Sequence, residues 1–434
     1  MVLARSHPIG PRSVANLGLL VLTWLSVSSC ATYTQDTKEM RNSYRVDAFD
    51  RSLTHLEDLG LQDQSRNKLL YLWEKSMILD RMKKLKESRD LLKNSDLLVD
   101  QMRNSSVVGD LASFVYNDSA KDYQGEDYEK VALHLMLAVS FLEEGRLSEA
   151  RVAARAINTT LQEINNFYKE NKNRYRDDAF ARYLSGAIFE AKGEVDNAIV
   201  AYRKSLKSYE NDYGRYFATS PPQSLIKSLV ALLRKRGRTQ LAGELVKRYD
   251  HLSFNRDRSK SATLFVVHEV DTIAIKTTQE FVFFWDRKPI RFSFPVIRRR
   301  GYSYYGGTGV TVDGEYTRGE VAQNLNAIAA QTLEDSKGRY MAKMVSRVIV
   351  KDQISQQARG MFGGLGELFV SIYGAFTETA DTRSWSLLPG AFYVTRLDLK
   401  PGKHQIKVKT NGDPKKNRTI NLEAGEIRFI RDRS

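Results

Sequence analysis

One arrangement of residue types occurs three times between residues 134 and 247, and it constrains the fold more than any other feature of the chain. Leu137-Ala138, Phe141, Gly145, Ala150 and Ala154 match Ser185-Gly186, Phe189, Gly193, Ala198 and Tyr202 at an offset of 48. Leu229-Val230, Leu233, Gly237, Ala242 and Val246 match the second set at an offset of 44. The apolar spacing around these residues is helical, and between Tyr44 and Tyr249 proline occurs only at 221 and 222. Each Gly stands where a helix ends in a left-handed residue, and each Ala stands where a returning helix needs a small side chain to pack closely. The pattern therefore predicts antiparallel helix pairs. Leu69 to Val99 reads as a further pair without the diagnostic Gly and Ala.

That pattern resembles the tetratricopeptide repeat, although its offsets exceed that family's period of about 34 residues and imply lengthened helices or insertions, as in the polar stretch Asn165 to Asp178. The resemblance implies stacked pairs whose concave surface is a binding groove for a protein partner. Arg182, Tyr183, Tyr202 and Arg203 are the expected exposed groove residues. The other reading is a helical bundle with no groove.

After Asp250 the period changes. Ala262 to Val270, Glu280 to Trp285 and Ile290 to Ile297 read as strands of a half-buried sheet. Arg318 to Ala358 returns to helical spacing, with Val321, Leu325, Ile328 and Ala329 on one stripe and an interruption near Gly338. Met361 to Phe376 is Gly-rich and apolar but shorter than the roughly 20 residues a helix needs to span a bilayer, so it reads as a core segment. The final strands put Phe392, Val394 and Leu397 inward, then Ile406 and Val408 after the Pro401-Gly402 turn. The fold class expected is a mainly α helical repeat followed by an α+β domain of short antiparallel strands, divided as 44–254 and 255–434.

The N-terminus reads as an address. Arg5 and Arg12 precede an uncharged stretch, Ser13 to Ser29, that is rich in Leu and Val. It too falls short of the roughly 20 residues of a membrane span, and it has the form of a signal peptide. Val27-Ser28-Ser29-Cys30 resembles the bacterial lipobox, and Cys30 is the only Cys in the chain. The resemblance implies a signal peptide over 1–29, lipid attachment at Cys30, a tether over 30–43 and, with Ala31 following, sorting to the outer membrane, facing the periplasm. Acyl chains contribute about 0.8 kcal/mol per buried methylene, enough to tether such a protein. The net charge is +15, and ten of those charges lie in residues 255–434. On an envelope protein such an excess points to anionic lipid, glycan or acidic protein, not to nucleic acid.

Chemistry is sparse. None of the six His makes a ligand pair at helical spacing, so neither a metal nor a cofactor is expected. Ser224-Leu225-Ile226-Lys227 lacks the companion elements of a serine acyltransferase. Glu126 or Asp127 is placed to cap a helix. Asp381, Arg383 and Trp385 put an acid, a guanidinium and an indole within one short loop, a set that can recognise a carboxylate, phosphate or sugar and can equally pin a loop onto the sheet.

Tyr-Gln-Gly-Glu-Asp-Tyr-Glu (123–129), Tyr-Leu-Ser-Gly-Ala-Ile-Phe-Glu (183–190), Ala-Asp-Thr-Arg-Ser-Trp (380–385) and Leu-Lys-Pro-Gly-Lys-His (399–404) are similar to stretches of a family of uncharacterised bacterial lipoproteins with a tetratricopeptide-like N-terminal half. That resemblance implies fold and location and no catalytic residue. The expected function is a non-enzymatic, protein-binding scaffold in cell-envelope assembly or maintenance. The alternative is a regulator of a peptidoglycan-synthesis enzyme, or a glycan- or lipid-binding envelope protein.

Overall fold

The computed structural model describes residues 32–105, 121–167, 174–254, 261–285, 288–298, 307–338, 380–410, 413–415 and 417–434. Cys30 and residues 339–379, including the Gly-rich stretch, lie outside them. Residues expected as part of a tether are instead helical and packed. A turn at Tyr33–Asp36 and α1 (Lys38–Arg45) precede α2 (Phe49–Asp58), with Met40 and Leu56 fully buried.

Antiparallel helix pairs follow: α3 (Lys68–Arg81) with α4 (Leu85–Ser105), α5 (Asp127–Glu143) with α6 (Leu147–Phe167), α7 (Ala179–Ala191) with α8 (Val195–Ser208), and α9 (Gln223–Lys235) with α10 (Thr239–Arg248). Each second helix also packs on the next first helix, which is the stacking of a helical repeat. The turns at Gly145, Gly193 and Gly237 are left-handed, with φ of +70°, +75° and +69°. In the α3–α4 pair that place is taken by Lys83 at φ +63°, a conformation that costs a non-Gly residue about 1 kcal/mol. At the start of α5, the Glu126 N–H donates to the Glu129 carboxylate at 2.8 Å, the reciprocal arm of a capping box.

The first helices are buried all round. Every residue from Val131 to Leu142 and from Ala179 to Phe189 is buried. A helix of that kind must be covered on both sides. The second helices cover one side, and a sheet covers the other. The sheet has the order β11 (Ile427–Arg433), β1 (Ala262–Thr272), β7 (Pro389–Leu399), β6 (Glu320–Asn324), antiparallel except for the parallel β1–β11 pair.

Strand alternation sorts the two faces. Phe265, Val267, Phe392 and Val394 join the core shared with the helices. Leu264 and Val266 pack instead on Val310, Val312, Ile406 and Val408 of a second sheet. Leu397, expected inward with Phe392 and Val394, has the opposite parity and lies against that second sheet. The second sheet runs β10 (Arg418–Leu422), β8 (Gly402–Thr410), β4 (Gly309–Val312), β5 (Glu315–Arg318), with the short β9 (Asp413–Pro414) on β8.

Two expectations are corrected. The helix predicted from Arg318 begins only at 325 and is described to 338 as α11, because Val321 and Gln323 pair with Tyr393 and Phe392 across a bulge. Strand pairing with β7 thus overrides a stripe that continues at helical spacing. The strands β2 (Ile275–Trp285) and β3 (Lys288–Arg298) do not join a larger sheet; among the described residues they pair only with each other.

Candidate functional site

The inner face of the helical repeat, where a groove was expected, is filled by the chain's own sheet. Phe180 packs on Phe392 at 5.0 Å between ring centroids, and Tyr183 on Phe265 at 5.5 Å. Tyr183 and Tyr202 are therefore fully buried rather than exposed. The Tyr183 hydroxyl donates to Ser224 Oγ at 3.0 Å, and that of Tyr202 donates to Glu190 at 2.5 Å. Arg396 of β7 completes this contact by donating to the Tyr202 hydroxyl at 2.9 Å and to both Glu190 oxygens. Arg182 is buried too, its Nε donating to Asp177 at 2.7 Å and Nη1 to Asn158. Of the four predicted groove residues only Arg203 is exposed. The physical reason is the double burial of the first helices: side chains aimed into the concave face meet β1 and β7, not solvent.

Asp381, Arg383 and Trp385 come together as a loop clamp. Arg383 donates Nε and Nη2 to Asp381 at 2.7–3.1 Å and Nη1 to the carbonyls of Arg66 and Lys121 at 3.0 and 2.8 Å, and its plane lies over Tyr123. The guanidinium side chain is only 6% exposed. Trp385 stacks on Trp73 at 4.7 Å, and both are fully buried. Of the two uses the sequence allows, this geometry is that of a pinned loop.

Buried carboxylates on the first helices finish the clamp. Glu74 accepts from Ser386 N and Oγ, Leu387 N and the Tyr33 hydroxyl at 2.7–3.1 Å. Glu129 accepts from Trp385 N at 2.7 Å and the Tyr123 hydroxyl at 2.6 Å. Burial pushes the Glu74 carboxyl up to about 7, although its hydrogen bonds to Ser386 and Tyr33 pull the other way. Burial raises Glu129 as well.

At the opposite edge, Arg431 and Arg433 of β11 meet Asp80 of α3, Glu143 of α5 and Glu269 of β1. Burial alone would raise Glu143, but Arg433 and Arg431 hold it down at about 2. On the other face of β1, His268 sits between Thr410 and Thr395, at 2.9 Å from each hydroxyl, and burial lowers it to about 3. It is neutral at pH 7.

Two clefts of about 470 and 460 Å³ flank the sheet, one lined by Arg81, Lys83, Glu143 and Arg431, the other by Ser224, Lys227, Glu320 and Arg396. Ser224 is spent on Glu320, which accepts from its hydroxyl and backbone N–H. Among the described residues no group of three His, Cys, Asp or Glu is placed to hold a metal ion, and no helix is long and apolar enough to cross a membrane.

Glu74, Glu129, Asp80, Arg396 and Arg431 were missed by sequence reading. The available signal was an acid embedded in an otherwise apolar helix, such as Glu129 beside Tyr128 and Val131, since such acids are almost never buried unpaired.

No family model matches the chain, and no curated protein matches it in sequence. Among solved structures it is similar to the nearly identical TPR-like repeats of a Podospora anserina kinesin-light-chain-type protein, at 12% identity and a TM-score of 0.32, over 50% of this chain and 92% of that one. A single-substitution form of the same protein gives 13% and 0.32 over the same shares. MamA from AMB-1 gives 11% and 0.30, over 50% of this chain and 91% of that one.

Proposed function

We propose that the chain is an outer-membrane lipoprotein, anchored at Cys30, that acts as a non-enzymatic scaffold and binds an envelope protein on the outer layer of its helical repeat. With the concave face closed by the chain's own sheet, a partner must use the second helices. The observation that carries this reading is a repeated exposure there. Val152 on α6 is 64% exposed and Val200 on α8 is 51% exposed, at positions equivalent under the offset of 48. Leu241, exposed on α10, lies one helical turn before the matching place in the next pair. Aliphatic side chains kept in solvent at the same place in successive repeats form a stripe suited to an apolar partner surface. The lipobox-like Val27 to Cys30 supports the membrane location.

The test is in-cell photo-crosslinking from positions 152 and 200. One discrete envelope protein attached at both is the expected result, and Val152→Lys with Val200→Lys should abolish it with the melting temperature unchanged. Random or absent attachment would remove the protein-scaffold reading. Cys30→Ala should block processing or release the protein into the soluble fraction; membrane retention with normal maturation refutes the anchor.

A further inference from the structure

The β2–β3 ribbon plays no part in the core clamps described above except at its base, where Lys276 meets Glu126 at 2.5 Å. Beyond the base, residues 278–282 are exposed in succession, so both faces of β2 are open there. Phe281 is 41% exposed and Val282 53%. By register Phe281 stands opposite Phe292 and Val282 opposite Arg291, and the sequence continues with Phe283 and Phe284 at positions of opposite parity. A two-stranded ribbon in water is at best marginally stable, and antiparallel strands ordinarily keep one polar face. This one has apolar residues at positions of both parities. A single partner surface covers one face of a ribbon; a medium that surrounds it covers both.

Charge narrows the choice of medium. Between residues 278 and 300 the ribbon and its flanks hold six basic residues against two acidic ones, interspersed among the aromatics. Aromatic rings beside Arg and Lys match the boundary between acyl chains and phosphate headgroups, where rings sit at headgroup depth and cations reach the phosphates. We propose that the distal half of the β2–β3 ribbon lies in the headgroup–acyl boundary of an anionic lipid bilayer, as a second membrane contact separate from any acyl anchor. The inference goes beyond the anchored-scaffold reading and does not need it.

The test uses the purified full chain carrying Cys30→Ala, so that no acyl chain contributes, with vesicles of phosphatidylcholine alone or mixed with phosphatidylglycerol. The expected result is partitioning to the anionic vesicles at least tenfold stronger than to the neutral ones, and a loss of at least tenfold on Phe281→Ser with Val282→Ser. The melting temperature should stay the same, because both positions are exposed. Trp285 gives a second readout: brominated lipids should quench a fluorescence component that is missing in Trp285→Phe. Equal partitioning of the serine variant, or no Trp285-dependent quenching, overturns the proposal. So does cross-linking of the ribbon to one protein in place of lipid. Failure of the Cys30 anchor with vesicle binding retained leaves the ribbon assignment standing, and the reverse result removes it alone.

Discussion

Two glycines separate two physical demands that the repeat pattern merges. At Gly186 the backbone is ordinary helix, but an added Cβ would lie 2.3 Å from the Tyr202 ring, which is buried and cannot retreat. At Gly193 φ is +75°, and a Cβ would meet nothing within 4 Å. Gly193→Ala should thus cost only backbone strain, about 1 kcal/mol, and Gly186→Ala about 3 kcal/mol of overpacking. Denaturant melts of the two variants check the order. The cause is checked by adding Tyr202→Leu, which should relieve most of the Gly186→Ala effect and none of the Gly193→Ala effect. Equal coupling in both double variants would mean that the Gly186 contact is not what the repeat needs.

Elements were legible to the extent that their partners lay nearby in sequence. Gly145, Gly193 and Gly237 marked three helix turns directly, and Ile406 and Val408 marked an inward strand face. Residues 320–324 were misread because Val321 fits the helical stripe of Leu325 and Ile328, and only the distant β7 makes it a strand. Tyr183 and Tyr202 were misread for a related reason: side chains aimed into a concave face are exposed or buried according to what β1 and β7, far along the chain, do.

The two sheets also carry a pH dependence, through His268. Its folded pKa is about 3 against an ordinary 6.5, so the folded state binds it neutral and protonation favours unfolding. Stability from this residue is present above pH 6.5 and is lost as pH falls towards 3. Between pH 7 and pH 4.5 the loss is about 2.5 kcal/mol. Glu74, raised to about 7, works the opposite way, being most favourable when protonated and losing stability as pH rises from about 4.5 through 7. The comparison that isolates the histidine is the difference between the wild type and His268→Gln, which leaves Glu74 in place. Melting temperatures of the two should converge as pH falls from 7 to 4.5; a constant gap would show that His268 is not held neutral.

In the whole molecule, one hydrophobic core runs from Tyr33 through the first helices to Phe392 and Val394. The helical and sheet portions should therefore melt together, with calorimetric and van't Hoff enthalpies in agreement. Two resolved transitions would show the portions to be separate folding units. Arg431→Ala should lower stability by about 3–5 kcal/mol, because it strands Asp80 and Glu269 in the interior without a counter-charge. Arg431→Met together with Asp80→Asn should recover part of the loss.

The salt bridges of β11 also set a timetable for synthesis. Arg431 reaches Glu143 across 288 residues and Asp80 across 351. A chain emerging N-terminus first, from a ribosome or through a translocation channel, exposes these acids long before their arginines exist. Until then α3 and α5 hold uncompensated charges beside an uncovered apolar face, and water keeps both hydrated. Final compaction is thereby deferred until β11 arrives, which keeps the growing chain loose enough to be threaded through a pore.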